Sequence, residues 1–282
     1  SVGGSNRVPA YLIEIPPSVD NVLIADASGS AVLRIENSSE GLRYRDQRYM
    51  SVGSLGVGKQ RAWDKKTPLG IYFMTEELDT SQLNPKYGAA AFELDYPNAW
   101  DRRLERTGDG IWLHGVHPDT PIRPARDTDG CIALPNDQLL SLRPLLDMHS
   151  TPVVITREVS WSSDSELQSL REELHAAIEL WRESLEAKNI YDHVSLYDDE
   201  FSFRDMGKSE YTRYRAASFA AAATASISID DLLLLRDPEA SDLVLARFQQ
   251  TMTGVSGDVS YWKRLYWRKN DSGWQIIAED AG

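Results

Sequence analysis

Short apolar segments alternate with turn residues through the first half of the chain. Tyr11–Ile15, Asn21–Ala25 and Ala31–Ile35 are examples, and Pro, Gly and Ser residues lie between them. Apolar runs of this length with such boundaries predict β-strands. The same pattern predicts further strands at Tyr49–Val57, Gly70–Thr75, Ala90–Leu94, Gly110–Leu113 and Pro152–Thr156, with one helix at Pro135–Met148. Many short strands with Gly and Pro turns favour a β-sandwich or barrel over a doubly wound sheet.

The pattern becomes helical after Arg157. Apolar residues then recur at spacings of three and four and predict one long amphipathic helix; they are Leu167, Leu170, Leu174, Ile178, Trp181 and Leu185. We expect this helix to end near Asn189. The remainder predicts an apolar and aromatic segment at Val194–Phe203, a helix at Ser209–Ala223, and strands at Ala225–Leu235, Asp242–Thr253, Asp258–Lys269 and Trp274–Ala278. Helices followed by long antiparallel strands are typical of an α+β domain.

Length and charge define the class of protein further. The chain has 282 residues, about twice the ~150 of a typical domain. We therefore predict a mainly β domain over residues 1–160 and an α+β domain over residues 161–282. The 30 Lys and Arg residues against 43 Asp and Glu residues give a net charge of −13. Binding to phosphates or anionic lipid requires a basic surface, so we expect no nucleic-acid partner.

The N terminus and the apolar runs bear on location. No apolar run approaches the ~18 residues of a membrane-spanning helix, so no transmembrane segment is predicted. Residues 1–5 begin with neither Met nor a basic and apolar signal. We expect a mature, processed start from which an export signal has been removed.

Two segments carry candidate chemistry, Ile111–Pro118 with His114 and Thr128–Leu134 with the single cysteine, Cys131. A thiol attacks an acyl carbon as a thiolate, and a neighbouring imidazole is the usual means of forming one. Gly115 allows a tight turn whose carbonyl would hold the imidazole in one tautomer. Gly130 would leave backbone N–H groups beside Cys131 free for an oxyanion. A buried cysteine in a β core with two loop histidines is the alternative.

The spacing of these residues resembles a known family. His114-Gly115 is followed after seventeen positions by Cys131 within Gly130-Cys131-Ile132, and Gly58-Lys59 and Thr67-Pro-Leu-Gly70 precede them. Over residues 8–158 the chain is similar to the YkuD-type L,D-transpeptidase catalytic domain. The resemblance implies a β-sandwich, a nucleophile at Cys131, a general base at His114 and an orienting carbonyl at Gly115.

The resemblance also implies a substrate. Members of this family act on the stem tetrapeptides of peptidoglycan and cleave the bond between meso-diaminopimelate and the terminal D-Ala through a cysteine thioester. An amine acceptor then gives a cross-link, water gives a trimmed tripeptide, and some members cut lipoprotein anchors. This chain departs from the family pattern at Asp129, where a histidine is usual, and at Ala133, where an arginine often follows. Both departures leave the acceptor open.

Residues 161–282 resemble a nuclear transport factor 2-like (NTF2-like) domain, also called SnoaL-like, with a cone-shaped, cystatin-like α+β fold. Such domains commonly dimerise or hold a ligand in the cone, so formation of a homodimer through this domain and ligand binding are the two roles that the resemblance implies. The domain also matches the branch of the family that trims tetrapeptides, which favours L,D-carboxypeptidase activity. A catalytically silent peptidoglycan-binding protein and a scaffold protein are the alternatives.

Several residues are predicted to contact substrate. The guanidinium groups of Arg123 and Arg126 suit the carboxylates of the stem peptide, and Tyr87 lies in a segment that could wall the pocket. His117 is expected to line the groove, and Asp129 lies beside the nucleophile. We expect neither a metal nor an organic cofactor, since the loop around His117 lacks a full ligand set. The substrate implies a periplasmic or cell-envelope location.

Overall fold

The computed structural model describes residues 7–221, 226–254 and 257–281. The strands in this part of the chain are β1 (Arg7–Pro9), β2 (Leu12–Glu14), β3 (Asn21–Asp26), β4 (Ala31–Ser38), β5 (Gly41–Tyr49), β6 (Val52–Gly53), β7 (Gly70–Glu77), β8 (Ala91–Leu94), β9 (Trp112–His114), β10 (Arg126–Thr128), β11 (Ile132–Ala133), β12 (Pro152–Thr156), β13 (Trp161–Ser163), β14 (Tyr197–Phe203), β15 (Met206–Gly207), β16 (Ser226–Arg236), β17 (Leu243–Gly254), β18 (Gly257–Asn270) and β19 (Gly273–Ala281). The α-helices are α1 (Ala99–Arg103), α2 (Asn136–Leu142), α3 (Asp164–Glu186), α4 (Ile190–Ser195) and α5 (Lys208–Ala221), and 3-10 turns cover Thr80–Gln82, Pro85–Tyr87 and Arg143–Leu145.

The chain forms two compact units. One comprises Pro17–Trp161, and the other comprises Ser162–Gly282 together with Ser1–Pro16. The structure therefore differs from the predicted boundaries at the N terminus. The reason is that β2 pairs antiparallel with β16, which makes it an edge strand of the second unit's sheet.

The first unit is the expected mainly β fold. Its main sheet has the strand order β11-β9-β8-β7-β12-β3-β4-β5, and β6 pairs separately with β10. Strand β7 joins the two halves of this sheet: its first residues, 70–73, pair with β12, and its last residues, 74–77, pair with β8 with a register shift between Met74 and Glu76. Apolar side chains from both halves meet in one buried core, for example Leu23, Val153, Phe92 and Leu113.

The second unit is the expected α+β fold. Its sheet has the order β15-β14-β19-β18-β17-β16-β2; the four long strands β16 to β19 pair antiparallel with one another, and β19 pairs parallel with β14. Helix α3 begins with a capping box in which Ser163 and Glu166 bind each other's backbone N–H. Its apolar stripe, including Leu174, Ile178 and Trp181, lies in the same core as residues of the sheet.

The sequence pattern locates most elements and misses identifiable ones. Strand β5 was not predicted because it is an edge strand rich in charged and polar residues, none of which is buried. The predicted strand Tyr49–Val57 is wrong beyond β6, since Gly56 adopts a positive φ in a loop. The predicted helix Pro135–Met148 is shorter, because Pro144 cannot continue α2. The predicted helix end at Ala223 and strand start at Ala225 lie outside the described residues.

A buried histidine lies in the core of the second unit. His193 is fully buried, and its ring nitrogens lie 3.0 Å from Ser184 Oγ and 3.3 Å from the Tyr197 hydroxyl. Burial lowers the pKa of His193 to about 3. The imidazole is therefore neutral at physiological pH.

This burial predicts acid sensitivity. In the unfolded chain His193 binds a proton below about pH 6.5, whereas in the folded chain it stays neutral down to about pH 3. The free energy of unfolding therefore falls as the pH decreases from about 6.5 to about 3. Urea unfolding followed by tryptophan fluorescence should lose about 2 kcal/mol from this group between pH 6.5 and 5. His193→Phe should remove that share of the loss, because the titrating group is gone. Ser184 and Tyr197 keep a hydrogen-bond partner in the variant, since both still bind Trp181. An unchanged pH slope in the variant would contradict the prediction.

Candidate active site

Pairing of β9 with β11 places the strand that carries His114 beside the segment that carries Cys131. The strands are parallel, with Ala133 opposite His114, and Cys131 lies immediately before β11. The Trp112 N–H donates to Cys131 Sγ at 3.4 Å, and the thiol donates to the Gly110 carbonyl at 3.4 Å. Side chains two residues apart on a strand point to the same face, so the side chains of His114 and Trp112 lie on one face of β9.

The His114 imidazole is fixed in one tautomer. The side chain is buried, 2% exposed, and Nδ1 lies 2.6 Å from the Gly115 carbonyl oxygen. A carbonyl only accepts hydrogen bonds, so Nδ1 carries the proton and Nε2 carries the lone pair. Burial lowers the pKa of His114 to about 4, although the hydrogen bond to Gly115 opposes this. The ring is therefore a neutral base at pH 7.

The Cys131 thiol is protonated in the resting structure. Burial raises the pKa of Cys131 above its ordinary value, and the hydrogen bond from Trp112 N–H opposes this only in part. The bond from the thiol to the Gly110 carbonyl agrees, since only a protonated sulfur can donate. A neutral thiol and a neutral imidazole can exchange a proton during attack on an acyl carbon.

The turn before the cysteine uses one of the predicted oxyanion donors. Thr128 Oγ1 donates to the Cys131 carbonyl at 2.7 Å and accepts from the Gly130 N–H at 3.1 Å. The sequence predicts that the Gly130 N–H donates to an oxyanion. In the structure this N–H instead donates to Thr128 Oγ1 within the turn. The Cys131 N–H makes no hydrogen bond within the described ranges of the chain, so it can donate to an oxyanion. Gly130 itself has φ +135°, and a Cβ would lie 2.9 Å from the Lys66 carbonyl oxygen.

A rigid loop supports this turn from the other side. Asp64 accepts from the Lys59 ammonium at 2.9 Å and from three backbone N–H groups, those of Gln60, Arg61 and Lys66. Burial raises the pKa of Asp64, but the hydrogen bonds outweigh it and lower the value to about 2. The Gly58-Lys59 and Thr67 segments of the family pattern therefore shape the loop whose Lys66 carbonyl borders Gly130.

Asn136 is a site residue that sequence analysis missed. Its Oδ1 accepts from the backbone N–H groups of Ala89 and Val116, both at 3.0 Å, and its Nδ2 donates to the Val116 carbonyl at 2.8 Å. A Cβ on Gly115 would lie 2.1 Å from Asn136 Oδ1. Asn136 therefore fixes the backbone that follows His114. Its position after Pro135, at the start of α2, had suggested only an ordinary helix start.

Of the residues predicted to contact substrate, Tyr87 packs against His114. Its ring centroid is 5.1 Å from that of His114 and 4.7 Å from that of Trp112. Arg123 is already engaged, because its guanidinium binds the Asp127 carboxylate at 3.0 Å and the Asp127 carbonyl. Arg126 is exposed on β10.

The remaining predicted residues lie at the surface. His117 belongs to a local turn in which Nδ1 accepts from the Asp119 N–H at 3.1 Å. Asp129 is exposed, and its carboxylate lies 3.9 Å from the Lys86 ammonium. Among the described residues, no group of three or more His, Cys, Asp or Glu side chains could hold a metal ion.

Comparisons with known proteins agree with this geometry. Residues 20–155 match the model of the YkuD family, the L,D-transpeptidase catalytic domain, and residues 173–280 match the Cds6 C-terminal NTF2-like domain. The chain carries a YkuD domain and an NTF2-like domain. Both resemblances predicted from the sequence are thus confirmed, and so is the fold class.

Solved structures share the arrangement of two domains. Bd1075 of Bdellovibrio bacteriovorus is 25% identical, with 98% of each chain covered and a TM-score of 0.81. The helical cell shape determining protein Pgp2 of Campylobacter jejuni is 23% identical, with 96% of each chain covered and a TM-score of 0.77. A search of curated proteins found none that matches the sequence. No described helix of the YkuD or NTF2-like domain has the length and apolar character needed to cross a membrane.

The role of Asn136 predicts a specific loss of stability. Asn136→Ala removes three hydrogen bonds and leaves two backbone N–H groups without a partner, so it should cost about 2 to 3 kcal/mol of unfolding free energy. Asn84→Ala is the matched control, since Asn84 is exposed and accepts one N–H; it should cost under about 1 kcal/mol. Equal costs in denaturant unfolding would show that Asn136 does not fix the backbone at Gly115.

Proposed function

We propose that this protein cleaves the bond between meso-diaminopimelate and D-Ala in peptidoglycan stem tetrapeptides, through a thioester on Cys131. Hydrolysis of the thioester would make it an L,D-carboxypeptidase that leaves tripeptides. The observation that carries the proposal is the pairing of β9 with β11: it sets the segment of Cys131, whose thiol binds the Trp112 N–H, beside the strand of His114, whose Nδ1 is bound to the Gly115 carbonyl. The match of residues 20–155 to the YkuD catalytic domain supports the choice of substrate.

The chemistry follows from the tautomer. His114 Nε2 takes the thiol proton as Cys131 Sγ attacks the diaminopimelate carbonyl, and the Cys131 N–H stabilises the oxyanion. The Gly115 carbonyl stabilises the imidazolium through Nδ1–H. The imidazolium then protonates the departing nitrogen of D-Ala as the C–N bond breaks. Water, deprotonated by His114, next attacks the thioester, which releases the tripeptide carboxylate and restores the thiol.

The choice of acceptor and the location also belong to the proposal. Water as acceptor agrees with the sequence resemblance to the trimming branch, while cross-linking and release of lipoprotein anchors require an amine acceptor or a different peptide. Pgp2, described as a determinant of helical cell shape, has the same two domains. A substrate in the cell wall implies a periplasmic or envelope location. Dimerisation through the NTF2-like domain stays a prediction.

Turnover of purified muropeptides tests the proposal. Mass spectrometry should detect loss of one D-Ala from disaccharide tetrapeptides without formation of dimers. Cys131→Ser should lower the rate at least about 10³-fold, because the nucleophile is lost, and His114→Gln should lower it about 10²-fold to 10⁴-fold.

Each other product has a defined meaning. Detection of new cross-links between diaminopimelate residues would show that the reaction is transpeptidation and not hydrolysis. Unchanged turnover in Cys131→Ser would contradict the thioester. Binding of muropeptides by the wild type without any turnover would identify a silent binding protein.

A further inference from the structure

Lys86 lies at the edge of the catalytic pair, on the 3-10 turn Pro85–Tyr87. Its ammonium is 5.0 Å from the ring centroid of Tyr87, the ring that packs against His114. It is also 3.9 Å from the carboxylate of Asp129, two residues before the nucleophile. The Lys86 ammonium therefore lies between the Tyr87 ring, which packs against His114, and Asp129, on the turn that precedes Cys131.

The turn that carries Lys86 is held in place while the side chain stays accessible. Asn84 accepts from the Lys86 N–H at 3.0 Å, and the Gly88 N–H donates to the Pro85 carbonyl at 3.1 Å. A Cβ on Gly88 would lie 2.3 Å from Asn136 Oδ1, so the end of the turn packs against the residue that fixes Gly115. The Lys86 side chain is nevertheless 49% exposed. A preorganised, solvent-accessible cation suits an anionic group of a ligand.

Neighbouring cations are engaged more tightly than Lys86. Lys59 is buried and binds both Asp64 and the Arg61 carbonyl, and Arg123 is held by Asp127. The ion pair of Lys86 is open by comparison, since 3.9 Å is the long limit of such a pair and the Asp129 side chain is 75% exposed. The Lys86 ammonium can therefore leave Asp129 for a ligand carboxylate, or it can bind both carboxylates at once.

The substrate class of the proposed function offers two carboxylates at different distances. The carboxylate of the terminal D-Ala is three covalent bonds from the carbonyl that Cys131 would attack. The free carboxylate of diaminopimelate is six bonds from the same carbon. A cation at Asp129, two residues before the nucleophile, is therefore matched to the nearer of the two, the terminal carboxylate.

We infer that Lys86 binds the terminal carboxylate of the substrate and that Asp129 holds the ammonium ready for it. The inference rests on the proposed function and adds a specificity residue to it. It also gives Asp129 a role, which is to hold the Lys86 ammonium in place. The positive charge at the site then comes from Lys86, on the turn before β8. It does not come from the segment after Cys131, where this chain has Ala133 and the family pattern often has an arginine.

The test compares two peptides, a stem tetrapeptide with a free D-Ala carboxylate and the same peptide with a terminal carboxamide. Lys86→Met should lower kcat/KM about tenfold to thirtyfold on the carboxylate peptide and less than about threefold on the carboxamide. Lys86→Arg should restore most of the loss. Arg43→Met is the matched control, since it removes one positive charge on β5, at the opposite edge of the sheet from β11; it should change neither value.

Three outcomes would overturn the inference: equal losses on both peptides, no loss on either, or a carboxylate-selective loss in Arg126→Met in place of Lys86→Met. If the wild type turns over neither peptide, the proposed function fails separately. Binding of both peptides to Cys131→Ser then decides the role of Lys86. The inference requires about tenfold tighter binding of the carboxylate peptide, and it requires that Lys86→Met in that background abolish the difference.

Discussion

The pairing of β9 with β11 is the constraint on which the candidate site depends. Both strands are very short, and neither carries the nucleophile, which stands one residue before β11. Their parallel register nevertheless fixes Cys131 against the backbone of Trp112 and opposes Ala133 to His114. In the proposed reaction, strand pairing and the hydrogen bond from the Trp112 N–H would hold the two groups in place, which limits the entropy lost when they meet a substrate.

Burial decides the charge state of the pair. Desolvation disfavours the imidazolium of His114 and the thiolate of Cys131 alike, so each group rests in its neutral form. The Gly115 carbonyl and the Trp112 N–H oppose this effect, and each would stabilise the charged form that arises in the proposed reaction. In that reaction a neutral base and a neutral acid exchange a proton, and both resulting charges have a hydrogen-bond partner.

Local signals predicted much of this, and non-local contacts account for the rest. The spacing of His114 and Cys131 indicated the pair, and periodic apolar residues indicated α3. Nothing local shows that Asn136 reaches back to Gly115, about twenty residues earlier, because this contact exists only after the chain folds. The attachment of β2 to the second unit has the same cause, since its partner β16 is more than 200 residues away.

The protonation of the His114 ring at rest is the most direct measure of the account. Nitrogen-15 NMR of ring-labelled protein, assigned by comparison with His114→Gln, reports the state of each nitrogen. The account predicts a protonated Nδ1 and an unprotonated Nε2 at pH 7, with titration near pH 4. An imidazolium at pH 7, or a proton on Nε2 in place of Nδ1, would contradict it.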